Sequence, residues 1–149
     1  LAMQRNVPLV VLHDAEKEYV EGRAVLAFVE DTPVPDAAEL GVGAAAWLRG
    51  LAEAASELRR HLLDRLRAGE VERAEHLLGT MDDVYDLLLT VDHPDAITHG
   101  LRRTLDALRA VLERSRSELT MTVVQARALS SIDAAVAGLD REACAARRF

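Results

Sequence analysis

GLRRTLDALRAVLERSRSELTMTVVQARAL, residues 100–129, decides the fold class. Leu101, Leu105, Leu108, Leu112 and Leu119 recur at intervals of three, four and seven, the period of one face of an α-helix. Arg102, Asp106, Arg109, Glu113 and Arg116 fall on another face with alternating sign, the pattern of a solvated helix surface. No proline and no internal glycine interrupts the run, so it predicts the longest helix of the chain.

Working outward, the same period recurs three times. Residues 70–91 carry Ala74, Leu77, Leu78, Met81, Val84, Tyr85, Leu88 and Leu89 at helical spacing, with Pro94 and Gly100 breaking the chain beyond them. Residues 44–67 align Trp47, Leu48, Leu51, Ala55, Leu58, Leu62 and Leu66, with Gly69 as the stop signal. Residues 14–31 contain Tyr19, Val20, Val25, Leu26, Phe28 and Val29 with a single glycine. Between these last two segments, DTPVPDAAELGVG reads as a connector, with Asp36 and Glu39 spaced as a capping box on one short turn. The tail, residues 130–149, has a poor pattern and predicts at most a short, loosely attached helix.

No strand-like alternation appears, and aromatic residues make up only 3% of the chain, so the class is all-α with aliphatic packing. A length of 149 residues and 50% hydrophobic content fit one domain with its own core. The net charge of -7 argues against a generally basic nucleic-acid surface, so a polyanion would have to be met by a local patch. The lone Cys144 excludes an intrachain disulfide framework and fits a reducing, cytoplasmic setting. No apolar run approaches the roughly 20 residues that span a bilayer. His13, His61, His76, His93 and His99 are dispersed without metal-ligand spacing and read as surface or capping residues. Nucleophile triads, phosphate-cradling glycine motifs and zinc fingers find no support.

The acids carry the chemistry. At about 100° per residue, Asp14, Glu18 and Glu21 share one side of their helix with Val25 and Phe28. Carboxylates one turn apart repel, and partial burial sharpens the repulsion. Spacing leaves two outcomes open: a divalent cation, Mg²⁺ or Mn²⁺, that can activate water, or ion pairs with arginines of a neighbouring helix. Glu53 and Glu57 form a second i, i+4 pair beside Arg60 and Asp64, which periodicity alone places on a solvated face.

The order of DAEKEYVEGRAVLAFVED, WLRGLAEAASELRR, DDVYDLLL and DHPDAITHGLRRTLDALRAVLERSRSELT resembles the translin family, over residues 7–129. The resemblance implies a bundle of long antiparallel α-helices in a single domain, residues 1–149. Such bundles assemble into a hollow homo- or hetero-oligomer that binds single-stranded RNA or DNA. The resemblance begins after the family's N-terminal helices, so those helices are expected to be absent from this chain.

In one branch of the family, four inward-facing acids hold Mg²⁺ and cleave RNA. Their counterparts here are Glu18 and Glu21 of EYVE, and Glu53 and Glu57 of LAEAASELRR. Where that branch has Asp, this chain has Glu53, longer by one methylene. Arg59, Arg60, Arg102, Arg103, Arg109 and Arg116 are the implied phosphate contacts, against pairing with Asp106, Glu113 and nearby acids. Two alternatives accompany this expectation: a catalytically silent nucleic-acid-binding subunit, and a helical interaction module assembled through the leucine stripe of residues 101–119.

Overall fold

The computed structural model describes residues 9–91, 98 and 100–146, with side chains over residues 11–91, 98 and 100–139. Within them the chain forms α1 (Leu9–Glu30), α2 (Ala37–Leu40), α3 (Ala44–Arg67), α4 (Val71–Leu89) and α5 (Leu101–Ala146), and no strand. The expected break at Pro94, the readings of His93 and His99, and the side chain of Cys144 fall outside the described residues.

α3 is the central rod. It packs against α1, α4 and α5, while α4 also lies on α5 and α1 barely touches α4. Its buried residues, Ala46, Leu51, Ala52, Ala54, Ala55, Leu58 and Leu62, occupy more than one face because the helix is enclosed on three sides. Met81 and Leu88 of α4 and Leu108 of α5 complete a core without any exposure. The leucine stripe of α5, Leu101 to Leu119, is spent on this core, so it is not an assembly interface.

Pairings at both ends fix the helix directions. Arg49 meets His13 and Lys17 meets Glu53, while Val29 lies by His61 and Arg65, so α1 runs parallel to α3. Arg103 lies by Arg49 and Glu118 by Arg59, so α5 is parallel to α3 as well. The tight turn at Ala68–Gly69 makes α4 the antiparallel member, which the pairing of Asp82 with Arg116 confirms. The connector 31–43 must therefore travel back along the bundle. It is pinned by Trp47, whose indole N–H donates to the Pro35 carbonyl at 2.9 Å, and by the Asp36–Glu39 capping box expected from sequence.

α1 ends where Asp31 enters the left-handed region at φ 60°, a conformation Asp tolerates better than most residues. Arg73 of α4 caps that end, donating to the Val29 carbonyl at 2.7 Å, and Asp31 accepts from or pairs with His76 at 3.2 Å. At the other extreme, the tail does not detach at residue 130: α5 continues without a break to Ala146, 46 residues in all. Local helix propensity there, with many alanines and no proline, outweighs the weak amphipathic pattern that suggested a separate piece.

Candidate functional site

The site forms at a close approach of α1 and α3, and a missing side chain permits that approach. A methyl group placed on Gly50 would stand 2.7 Å from the Lys17 carbonyl and 2.7 Å from Val20 Cβ. With hydrogen there instead, the helix backbones come close enough for Glu53 to reach the acids one turn along α1.

Glu18, Glu21 and Glu53 each offer a carboxylate oxygen, and these three oxygens lie within 4.8 Å of one another. Glu18 is exposed, while Glu21 and Glu53 are half-buried. Asp14 is exposed and stands outside this group. The buried face of α1 is Val20, Ala24, Ala27 and Phe28, so the expected shared side for Asp14, Glu18 and Glu21 is corrected: only Glu21 lies at the core's edge. Glu53 is also corrected. It does not look into solvent, because α1 covers the side of α3 that periodicity had left free.

Glu57 does not join the three. Its carboxylate accepts from Arg60 Nε at 2.7 Å, an i, i+3 pair near the surface. Its charge still reaches Glu21 electrostatically.

A cation already sits among the acids. Lys17, the chain's sole lysine, places Nζ 2.6 Å from Glu53 Oε2 and 3.1 Å from Glu18 Oε1, with only 12% of its side chain exposed. Burial works against its charge, but the hydrogen bonds to Glu53 and Glu18 outweigh burial and hold its pKa above the ordinary lysine value. Glu21 moves the other way for an acid: burial first, then the charges of Glu18 and Glu53, push its pKa up, with Lys17 opposing. On the far side of Glu53, Arg49 approaches at 3.8 Å and lines a cavity of about 450 Å³ with Gly100, Arg103, Thr104 and Ala107. Arg49 Nε is buried there with no hydrogen-bond partner among the described residues. Neither Lys17 nor Arg49 was singled out from sequence. Lys17 carried one usable signal, its uniqueness.

The six arginines divide. Arg59 grips Glu118 through two hydrogen bonds of 2.7 and 2.9 Å, Arg116 holds Asp82 at 2.7 Å, Arg109 pairs with Glu113 at 3.2 Å, and Arg60 with Glu57. Those four are engaged within the chain, as the pairing alternative expected. Arg102 and Arg103 are exposed and form no ion pair among the described residues.

The carboxylate group and its lysine thus suit one of two tasks: binding a small hard cation in place of the ammonium, or acting as a closed ion-pair network. The frame around them is an all-α, translin-type bundle, and the chain is a translin-like protein. It superimposes on AfC3PO solved as a complex with duplex RNA at a TM-score of 0.72, with 33% identity over 80% of this chain and 63% of that one. A second AfC3PO crystal structure gives 0.71 and 34% identity, over 78% and 62% of the two chains. The uncharacterized protein MJ0175 of Methanocaldococcus jannaschii is 24% identical over 132 residues, 88% of this chain and 59% of its own length. The chain therefore spans about three fifths of the relatives it matches. No protein-family model matches it.

Proposed function

We propose that this protein binds RNA within a translin-type oligomer and cleaves it with a divalent metal, Mg²⁺ or Mn²⁺, held by Glu18, Glu21 and Glu53. The observation that supports this reading is the convergence of three carboxylates from two helices within 4.8 Å, hard oxygen donors of the kind Mg²⁺ takes. Likeness to a protein solved with duplex RNA supplies the substrate class. The single-stranded substrate expected from sequence remains one arm of the test, and DNA another.

When bound, such an ion supplies a nucleophilic water and neutralises charge on the phosphate. The chain's own residues do the rest. Glu21, whose pKa is raised by burial and by Glu18 and Glu53, would give up that proton affinity to an ion, so a proton and the ion would compete for its carboxylate. Arg103 and Arg49, facing one cavity beside Glu53, provide positive charge for a phosphodiester. Lys17 must release Glu53 for an ion to bind, or remain and add its charge to the phosphate's side. Glu57, turned to Arg60, serves only after changing rotamer. A cytoplasmic location fits the single cysteine.

The test is cleavage of labelled single-stranded and duplex RNA with and without Mg²⁺, comparing wild type with Glu21→Gln and Glu53→Gln. Metal-dependent cleavage lost in both variants supports the proposal. Salt-sensitive RNA binding without turnover would leave a silent binding subunit, the reading favoured by the Lys17–Glu53 pair.

A further inference from the structure

A cavity of about 440 Å³ opens where the end of α1, the last turns of α3 and the start of α4 meet. Val29 and Leu77 give it an apolar wall, and His61, Arg65, Glu70 and Arg73 give it a polar one. It shares no residue with the carboxylate cluster. On α3, His61 stands beyond Glu53 by about two turns, or about 12 Å of helix axis.

The polar wall carries more positive charge than its acids cancel. Arg73 gives its shortest hydrogen bond, 2.7 Å, to the Val29 carbonyl, a neutral acceptor, and its ion-pair partner Asp31 stands 3.8 Å away. Asp31 is in turn shared with His76. Arg65 meets Glu70 through one nitrogen at 3.1 Å, and its other guanidinium N–H groups have no partner among the described residues. His61 is half-buried and makes no hydrogen bond or ion pair among the described residues. A guanidinium pinned by a neutral carbonyl is held in place without being neutralised, which prepares it for an anion. The backbone has the same sign: Glu70 is the N-cap of α4 but gives no side-chain hydrogen bond to its first turn. The opposite pole, the end of α1, is covered by Arg73.

In a chain of net charge -7 most of the surface repels anions, so a local excess of positive charge is selective. Two planar forks of donors match the oxygens of a phosphate. Inorganic phosphate would leave Val29 and Leu77 uncovered, and the volume is that of a small-molecule site. An ester of phosphate uses both walls. We infer that this cavity binds the phosphate group of a phosphate ester through Arg65, Arg73 and His61, with the organic part of the ester against Val29 and Leu77. The phosphate can come from a free nucleotide or from the backbone of an RNA strand. No divalent ion is needed, so the inference is independent of the proposed metal site.

The experiment is a calorimetric titration of the full chain with UMP at low salt in EDTA. Saturable binding is expected, with inorganic phosphate competing more weakly. Arg65→Gln should weaken UMP binding by about tenfold or more, the loss of one charge-assisted hydrogen bond. Arg67→Gln removes the same charge from a side chain that is 84% exposed and outside the cavity, and should leave binding unchanged. Both pairs are at the surface, so circular dichroism should show both variants folded. In wild type, the imidazole resonances of His61 should shift as UMP is added. Displacement of UMP by single-stranded RNA without terminal phosphates assigns the site to the strand backbone, and failure to displace it assigns the site to free nucleotides. Absence of UMP binding would overturn the inference, as would equal weakening by Arg65→Gln and Arg67→Gln, which would make the attraction a matter of net charge. EDTA keeps divalent ions out of the measurement, so this test and the cleavage test fail separately.

Discussion

Lys17 Nζ stands 2.6 Å from Glu53 Oε2, bridging α1 to α3 at the point where three carboxylates converge. The ammonium does from within what a metal ion would do from outside: it relieves repulsion among acids that the fold has brought together. Lys17→Met removes that relief. The variant should lose about 1.5–3 kcal/mol in a urea melt without divalent ions, the range for hydrogen bonds to charged groups. Millimolar Mg²⁺ should restore more stability to Lys17→Met than it adds to wild type. Equal response of the two proteins would count against metal binding by the cluster.

Glu21 gives the opposite sign. Burial and its acidic neighbours raise its pKa, so the native state holds the proton more tightly than the unfolded chain does. Its contribution to stability is then most favourable at low pH and declines as pH rises through the native value. Glu21→Gln escapes that decline. It should be slightly more stable than wild type in a denaturant melt at neutral pH, by less than about 1 kcal/mol given its partial exposure, and the gain should vanish in acid. If the same variant also abolishes cleavage, stability and activity oppose each other at this residue.

Gly50 and Gly79 make a paired test. Both lie inside helices, where Ala is normally better by about 1 kcal/mol. A methyl at Gly79 meets nothing within 4 Å, so Gly79→Ala should stabilise by about that amount. At Gly50 the methyl would collide with α1 backbone, so Gly50→Ala should destabilise by about 1–3 kcal/mol despite its propensity. Chemical denaturation of the two variants reads both signs.

Arg59 holds the Glu118 carboxyl below the usual range through its two hydrogen bonds. A depressed acid contributes stability above its unfolded pKa and loses it as pH falls through the lower, native value. Wild type should therefore lose more stability than Glu118→Gln on acidification to about pH 3, while at neutral pH the substitution costs no more than about 1 kcal/mol because the pair is near the surface. Carboxyl NMR titration of Glu118 checks the direction independently.

Among the arginines, only Arg102 and Arg103 of the six are unpaired within the described residues. If they meet phosphates, Ala substitution at either should weaken RNA binding and reduce the salt dependence by about one counterion each. Arg116→Ala should instead act on stability, through Asp82.

The helices were legible because a 3.6-residue period survives in α4 and the first half of α5, each of which buries one continuous stripe, and in the large apolar residues of α3 although that helix is enclosed on three sides. The directions were not: parallel α1 and α3 follow from the returning connector 31–43, and no residue pattern announces a return. Spacing named the two acidic pairs, but only family order joined them into one site, since on α3 the enclosed helix has no truly free face and periodicity sent Glu53 to solvent. Glu57 shows the remaining gap. A pair at i, i+3 with Arg60 is as available from sequence as a site three-dimensionally assembled with α1, and only the neighbouring helix decides between them. Tail continuity was missed for a related reason, because propensity without burial leaves little periodic signal.

The close approach at Gly50 would bear on which cation the proposed site could take. Glu18 and Glu21 ride on one rigid rod and Glu53 on another, so the separation of the rods is the bite of the cluster. Were an ion to bind as proposed, its radius would be gauged by a backbone contact rather than by the ligands themselves. A change at residue 50, which touches no carboxylate, would retune which ion the three oxygens can close around.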